Sequence, residues 1–200
     1  MATHPTSAPQ HGSSRLRPLI WGGAVVLLLL PAIAMRFTAE VNWTGSDFAA
    51  MGIMLAGACG LYELATWLST NTAYRAAFGM AVVVGFMTVW VNLAVGMFGS
   101  ERNPLNLMFA GVLLVAMLGA PLARFRPPGM ALTMSATALA QLLAAAIGLA
   151  IGLTVGTDEE HGPDVRREAL LTACFAFPWL VSAQLFRRAT RDRLASGRAP

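Results

Sequence analysis

Six long apolar segments limit what this chain can fold into more than any other feature of its sequence. They cover residues 18–35, 47–69, 76–98, 104–123, 130–153 and 168–186. Each has about the length that a helix needs to cross a hydrocarbon layer of about 30 Å. Because a backbone in lipid must satisfy its own hydrogen bonds, segments of this kind predict helices. We therefore predict an all-α fold, a polytopic transmembrane helical bundle with six spans.

Composition supports the membrane interpretation. The chain is 56% hydrophobic and only 12% charged, whereas a soluble domain of this size carries about twice that share of charge. The lipid bilayer is therefore its first predicted partner. The net charge of +4 does not indicate nucleic-acid binding, because the basic residues sit at segment ends without an accompanying aromatic surface.

The chain divides into one transmembrane domain and two tails. Residues 1–14 are rich in Pro, Ser and Thr and predict a disordered cytoplasmic tail. Residues 15–188 form the predicted domain, and residues 189–200 form a basic cytoplasmic tail. The first segment has an alternative interpretation, because Ala32-Ile33-Ala34 resembles a signal-peptide cleavage site and cleavage there would leave five spans.

Arginine bias predicts the orientation. With six spans and the N-terminus inside, ten arginines fall in the cytoplasm and four outside. Acidic residues show the reverse distribution. We therefore expect both termini in the cytoplasm. The inner arginines are Arg15, Arg17, Arg75, Arg124, Arg126, Arg187, Arg188, Arg191, Arg193 and Arg198, and the outer ones are Arg36, Arg102, Arg166 and Arg167.

Two local signals refine the helix boundaries. Asn103-Pro104 predicts a helix start, since Asn caps and Pro suits the first position. Pro178 lies inside the last segment, so we expect a kink there, with a neighbouring helix satisfying the freed carbonyl.

Glu63 is the one acid well inside an apolar segment. Burying a charged group at the bilayer centre costs roughly 2.5–3.5 kcal/mol on insertion scales. Glu63 should therefore face the bundle and find a partner, for which Arg75 and Arg124 are the candidate ion-pair residues and Gln184 a further candidate. Either it forms a structural ion pair, or it is a proton or ion site.

Other polar side chains recur at helical spacing. Thr88 and Asn92 share a face of the third segment, and Thr137 and Gln141 share one of the fifth. With Glu63 they form a candidate polar site crossing the bilayer. The alternative is that they make interhelical hydrogen bonds, each worth about 1 kcal/mol or less.

Small residues predict close helix packing on two segments. One face of the second segment also carries Glu63. The pattern does not show whether the partner helix belongs to the same chain, to a second copy or to another protein. The predicted packing residues are Gly52, Ala56 and Gly60, and on the fifth segment Ala136, Ala140, Ala144, Gly148 and Gly152.

Signals for catalysis, metals and cofactors are lacking. The histidines, His4, His11 and His161, all lie outside the apolar segments, which excludes haem ligation by a buried pair. The acidic stretch 158–164 lacks the spacing of a calcium loop. No nucleophile–base or phosphate-binding motif occurs. We therefore expect no enzyme activity, no metal and no cofactor.

Several local stretches have a distinctive sequence: Tyr62-Glu63-Leu64, Ala73-Tyr74-Arg75-Ala76, Trp90-Val91-Asn92-Leu93-Ala94-Val95-Gly96 and Gly99-Ser100-Glu101-Arg102-Asn103-Pro104. With them, about residues 36–145 resemble a family of small multi-spanning bacterial membrane proteins with no assigned activity. The resemblance implies a bacterial inner-membrane protein. It also favours the outer face as the working surface, formed by residues 42–47, residues 100–106 and Asn92.

These features favour a non-enzymatic accessory or assembly component that binds a membrane-protein partner or a second copy of itself. The alternative is a small transporter or proton-coupled carrier that uses Glu63, Asn92 and Gln141.

Overall fold

The computed structural model describes residues 16–155 and 165–197. Within these ranges a short 3-10 helix, Pro104–Leu107, precedes the fourth of the α-helices. The α-helices are α1 (Leu16–Ala34), α2 (Gly45–Leu68), α3 (Thr72–Ala94), α4 (Met108–Leu122), α5 (Pro127–Val155), α6 (Val165–Cys174) and α7 (Ala176–Ser196).

The predicted all-α transmembrane architecture is confirmed. In the described part of the chain, six helical stretches are long and apolar enough to cross a membrane, with α6 and α7 together forming the last. The chain is therefore a multi-pass membrane protein. The last stretch runs to Ser196, beyond the predicted end at residue 186, so much of the predicted basic tail is helical. The predicted tail 1–14 lies outside the described residues.

The described residues form two compact units where the sequence suggested one domain. The first extends to Thr66 and the second begins at Trp67. In the first unit, α2 buries a face that repeats every four residues, Met51, Leu55 and Cys59. Packing along the predicted small-residue face stays a prediction for part of its length. Gly52 lies near Leu28 of α1, but Ala56 and Gly60 are exposed.

In the second unit, α5 packs against α4, α6 and α7, and α7 packs against α3. The predicted small-residue face of α5 lets these neighbours approach. A Cβ at Gly148 would collide with the ring of Phe98, and one at Gly152 would collide with Val165. Ala144 is buried beside Phe98, and Ala140 packs against the same cluster. Ala136 is exposed, and its packing against a second copy or another protein stays a prediction.

The second unit has two distinct faces, because its helices alternate in direction. On the arginine face, α3 and α5 begin and α4 and α7 end. On the loop face lie residues 95–107 and the start of α6. The hydroxyl of Ser182 donates to the Ala77 carbonyl oxygen at 2.8 Å, and Asn71 Nδ2 donates to Asp192 Oδ2 at 2.9 Å. These two contacts set the antiparallel register of α3 and α7 and hold the end of α7 in place.

Candidate functional site

The carboxylate of Glu63 is held by two side chains of α1. Arg17 Nη2 donates to Oε2 at 2.9 Å, and Trp21 Nε1 donates to Oε1 at 2.9 Å. Glu63 lies five residues before the end of α2, and Arg17 and Trp21 occupy the first turns of α1. All three belong to the first unit. Because both carboxylate oxygens are engaged, this geometry fits a structural ion pair better than a proton site.

The predicted partners of Glu63 require correction. The ion pair forms with Arg17 of the same unit, which was not among the candidates, whereas the predicted Arg75 and Arg124 belong to the second unit. The Nε of Arg75 donates instead to the Ser69 carbonyl oxygen at 2.7 Å, and Arg124 is an exposed residue at the end of α4. Arg17 had been interpreted only as an orientation signal. Its spacing of four from Trp21 was the usable clue, since residues four apart share a helix face.

Three of the polar residues predicted for the site bond back to their own helices. Thr88 donates to Val84 O at 2.8 Å, Asn92 Nδ2 to Thr88 O at 2.7 Å, and Thr137 to Thr133 O at 2.9 Å. Side chains of this kind commonly bond the carbonyl four residues earlier. They therefore do not make the interhelical bonds that the sequence suggested, and these three bonds do not join into a path.

Gln141 makes an interhelical hydrogen bond, as the alternative interpretation of the polar residues predicted. It is fully buried, and its Nε2 donates to the Thr172 carbonyl oxygen at 3.0 Å. That carbonyl lies beside the break between α6 and α7, where the chain leaves regular helix at Phe175. Pro178 has no N–H for the carbonyl of Cys174, so the break sits where proline requires it. The predicted break at this proline is therefore confirmed. Gln141 does not satisfy the freed carbonyl, which belongs to Cys174; it donates to Thr172 O, which also accepts from Phe175 N at 3.2 Å.

Three buried polar atoms of the second unit have no hydrogen-bond partner among the described residues: Asn92 Oδ1, Gln141 Oε1 and Trp179 Nε1. Each unsatisfied group costs about 1–3 kcal/mol. Two of these atoms are acceptors and one is a donor, and an ordered water could satisfy each of them separately.

The loop between α3 and α4 is organised by Asn106, whose role the sequence analysis missed. Its Oδ1 accepts from the amides of Met97 at 3.1 Å and Phe98 at 2.9 Å. Its Nδ2 donates to the carbonyl oxygens of Phe98 at 3.3 Å and Ser100 at 2.8 Å. The side chain is buried although it belongs to a loop. The side-chain amide of Asn106 thus satisfies backbone groups of residues 97–100 that a helix or strand would otherwise pair.

Glycines shape the same loop. Gly96 and Gly99 have φ values of 77° and 64°, in the left-handed region that favours glycine. A Cβ at Gly96 would also lie 2.6 Å from the backbone of Ser100. The order Gly96, Gly99 and Asn106 was the signal available in the sequence, but similar patterns are common in loops that carry no function.

Further contacts fasten the loop to the core. Gly99 N donates to Glu168 Oε1 at 3.0 Å. Phe98 stacks on Phe109 with a centroid distance of 6.0 Å. Asn103 Oδ1 caps the 3-10 helix by accepting from Leu105 N at 3.0 Å, which confirms the helix start predicted there. The loop is therefore rigid although it lies at the surface.

The loop exposes a charged tip. Arg102 Nε lies 3.7 Å from Glu101 Oε1, and the Arg102 side chain is 92% exposed. An ion pair this exposed contributes little stability. The two side chains therefore remain available to another molecule.

Metal and thiol chemistry gain no support within the described ranges. No group of three or more His, Cys, Asp and Glu residues is placed there to hold a metal ion. Cys59 and Cys174 are free thiols. The acidic stretch 158–164, with His161, lies outside the described residues.

Comparison of the chain with protein-family models, curated proteins and solved structures gave no match. Functional conclusions therefore rest on the geometry.

Proposed function

We propose that this protein is a non-enzymatic accessory or assembly component of a bacterial inner membrane, and that it binds a membrane-protein partner through residues 95–107. The observation that supports this is the fourfold hydrogen bonding of Asn106, which holds a surface loop in one conformation. A connection between neighbouring helices needs only about 2–8 residues. This loop is longer, and its backbone is fixed by contacts that a simple connection does not need.

Rigidity favours binding for a physical reason. Ordering a mobile side chain on association costs about 0.5–1.5 kcal/mol, and ordering a loop adds to that. Here the ordering has already occurred during folding. A partner that contacts Glu101 and Arg102 would therefore meet a surface already in its final shape.

Arginine positions support an outer location for this loop. The exposed arginines at the ends of α4 and α7 all lie on the arginine face of the second unit, which the bias rule assigns to the cytoplasm. The loop face then lies outside, and both termini lie inside. The arginine-face residues are Arg124, Arg126, Arg187, Arg188, Arg191 and Arg193.

Site-specific photo-crosslinking tests the proposal. A photoreactive residue replacing Arg102 in native membranes should give one discrete crosslinked product. The same residue replacing Ser196, which is exposed on the arginine face, should not give that product. Products that are absent from both positions, or identical at both, would contradict docking through the loop.

A second candidate function, a small carrier, is favoured by the unpaired buried atoms of Asn92, Gln141 and Trp179. Proteoliposomes loaded with a pH-sensitive dye would test it. A proton flux that is lost in both Glu63→Gln and Gln141→Leu would support the carrier over the accessory role. If wild type, both variants and empty vesicles showed the same proton flux, the carrier hypothesis would be rejected.

A further inference from the structure

A groove on the arginine face, between the start of α5 and the end of α7, carries the next inference. It encloses about 360 Å³ and is lined by Pro128, Ala131, Leu132, Arg187, Thr190 and Arg191. We propose that this groove binds an anionic phospholipid, with its phosphate on Arg187 and Arg191 and an acyl chain along α5. The proposal is independent of the docking role of residues 95–107.

Charge is the first argument. Arg187 and Arg191 lie four residues apart, and therefore on one face of α7. Neither has an acidic partner among the described residues. Asp192, which neighbours them on α7, is bonded to Asn71. Asp192 keeps its negative charge in that bond, but it makes no ion pair with either arginine among the described residues. The two guanidinium groups therefore keep their donors available, and a phosphate matches their donor geometry.

Position along the helix is the second argument. The last membrane-spanning stretch, Val165–Ser196, contains 32 residues. At about 1.5 Å per residue the summed length of α6 and α7 is about 48 Å, so even with the break at Phe175 the stretch exceeds a hydrocarbon core of about 30 Å. Its arginine-bearing end therefore reaches the headgroup region. Basic pockets between helices at this depth are typical binding sites for anionic headgroups.

The apolar wall of the groove is the third argument. Pro128 and Ala131 line it beside Leu132, whose side chain is 73% exposed. Further along α5, Leu139 and Leu143 are exposed at helical spacing from Leu132. A phosphate on the arginines would place an acyl chain against this stripe. The groove thus places two arginines next to an apolar surface, which matches the phosphate and the acyl chain of a phospholipid.

Native mass spectrometry of the full chain tests the inference. The protein would be purified and exchanged into mixed micelles that contain equal amounts of phosphatidylglycerol and phosphatidylcholine. The test variant is R187Q/R191Q. The matched control is R188Q/R193Q, which removes the same charge from exposed positions of α7 that do not line the groove.

Wild type and the control variant should retain phosphatidylglycerol at least tenfold over phosphatidylcholine, and the groove variant should lose that preference. Equal losses in both variants would show an unspecific surface-charge effect and overturn the proposal. Unchanged retention in R187Q/R191Q, or no preference in wild type, would overturn it as well. Circular dichroism of each variant would show that the helices persist.

Discussion

Replacing Asn106 with alanine should loosen the loop between α3 and α4 without unfolding the helices. The substitution removes the acceptor of two buried amides, those of Met97 and Phe98, and the donor to two carbonyls. A buried group without a partner costs about 1–3 kcal/mol. Because carbonyls tolerate the loss of one donor better than amides tolerate the loss of their acceptor, we expect a total of about 2–4 kcal/mol.

Hydrogen–deuterium exchange resolves this effect at the two amides. Since about 1.4 kcal/mol corresponds to a factor of ten, the Met97 and Phe98 amides should exchange roughly 30–1,000 times faster in Asn106→Ala. Asn106→Asp keeps the acceptor oxygens and should protect both amides better than alanine does. Asn103→Ala, which removes only a cap worth about 1 kcal/mol, is the matched control.

The reasoning would be refuted by unchanged exchange at Met97 and Phe98 in Asn106→Ala. It would be refuted equally by the same acceleration in Asn103→Ala, because the loop would then be held by general packing.

Three further predictions concern the helices. Gly148→Ala should destabilise the protein by about 1–3 kcal/mol, because its new methyl group would overpack against Phe98. Gly60→Ala, where a Cβ meets nothing within 4 Å, should be neutral or stabilising. Thermal unfolding in detergent compares the two variants, and equal changes in stability would contradict the close packing of Gly148 against Phe98. A double-mutant cycle with Arg17→Gln and Glu63→Gln should give a coupling free energy of about 0.2–1 kcal/mol, which is small because Arg17 is 60% exposed. If the two substitutions lowered the free energy of unfolding additively, the ion pair would contribute nothing. Gln141→Leu should cost about 0.6–1.7 kcal/mol for one lost interhelical bond, and unchanged stability would show that this bond contributes nothing.

Much of the fold could be predicted because membrane spans follow from length and composition alone. Apolar segments long enough to cross the bilayer marked the six spans, and Pro178 marked the break between α6 and α7. Asn103-Pro104 marked a helix start because capping is a local interaction. These features depend on residues close together in the chain.

The predictions that failed depend on tertiary structure. Glu63 pairs with Arg17, 46 residues away, and the spacing of Arg17 and Trp21 shows only that they share a helix face, not that this face meets Glu63. The extension of α7 to Ser196 was missed because arginine-rich sequence resembles a tail, while the contact that fastens it, between Asn71 and Asp192, spans 121 residues.

Back-bonding of Thr88 and Thr137 was missed for a different reason. Spacing shows which face a hydroxyl occupies, but its rotamer decides whether it bonds a neighbour or its own helix. The hydrogen-bonding role of Asn106 could not be predicted, because its four backbone partners come together only when the loop turns at Gly96 and Gly99.

Co-purification from native membranes tests the central claim most directly. Tagged wild type, Asn106→Ala and Asn103→Ala would be isolated in mild detergent, and the accompanying proteins would be quantified by mass spectrometry. We predict one stoichiometric membrane-protein partner with wild type and Asn103→Ala, and at least a tenfold loss of it with Asn106→Ala. A wild-type protein that arrives alone, or a partner retained equally by all three proteins, would contradict the proposal that the rigid loop is the docking surface.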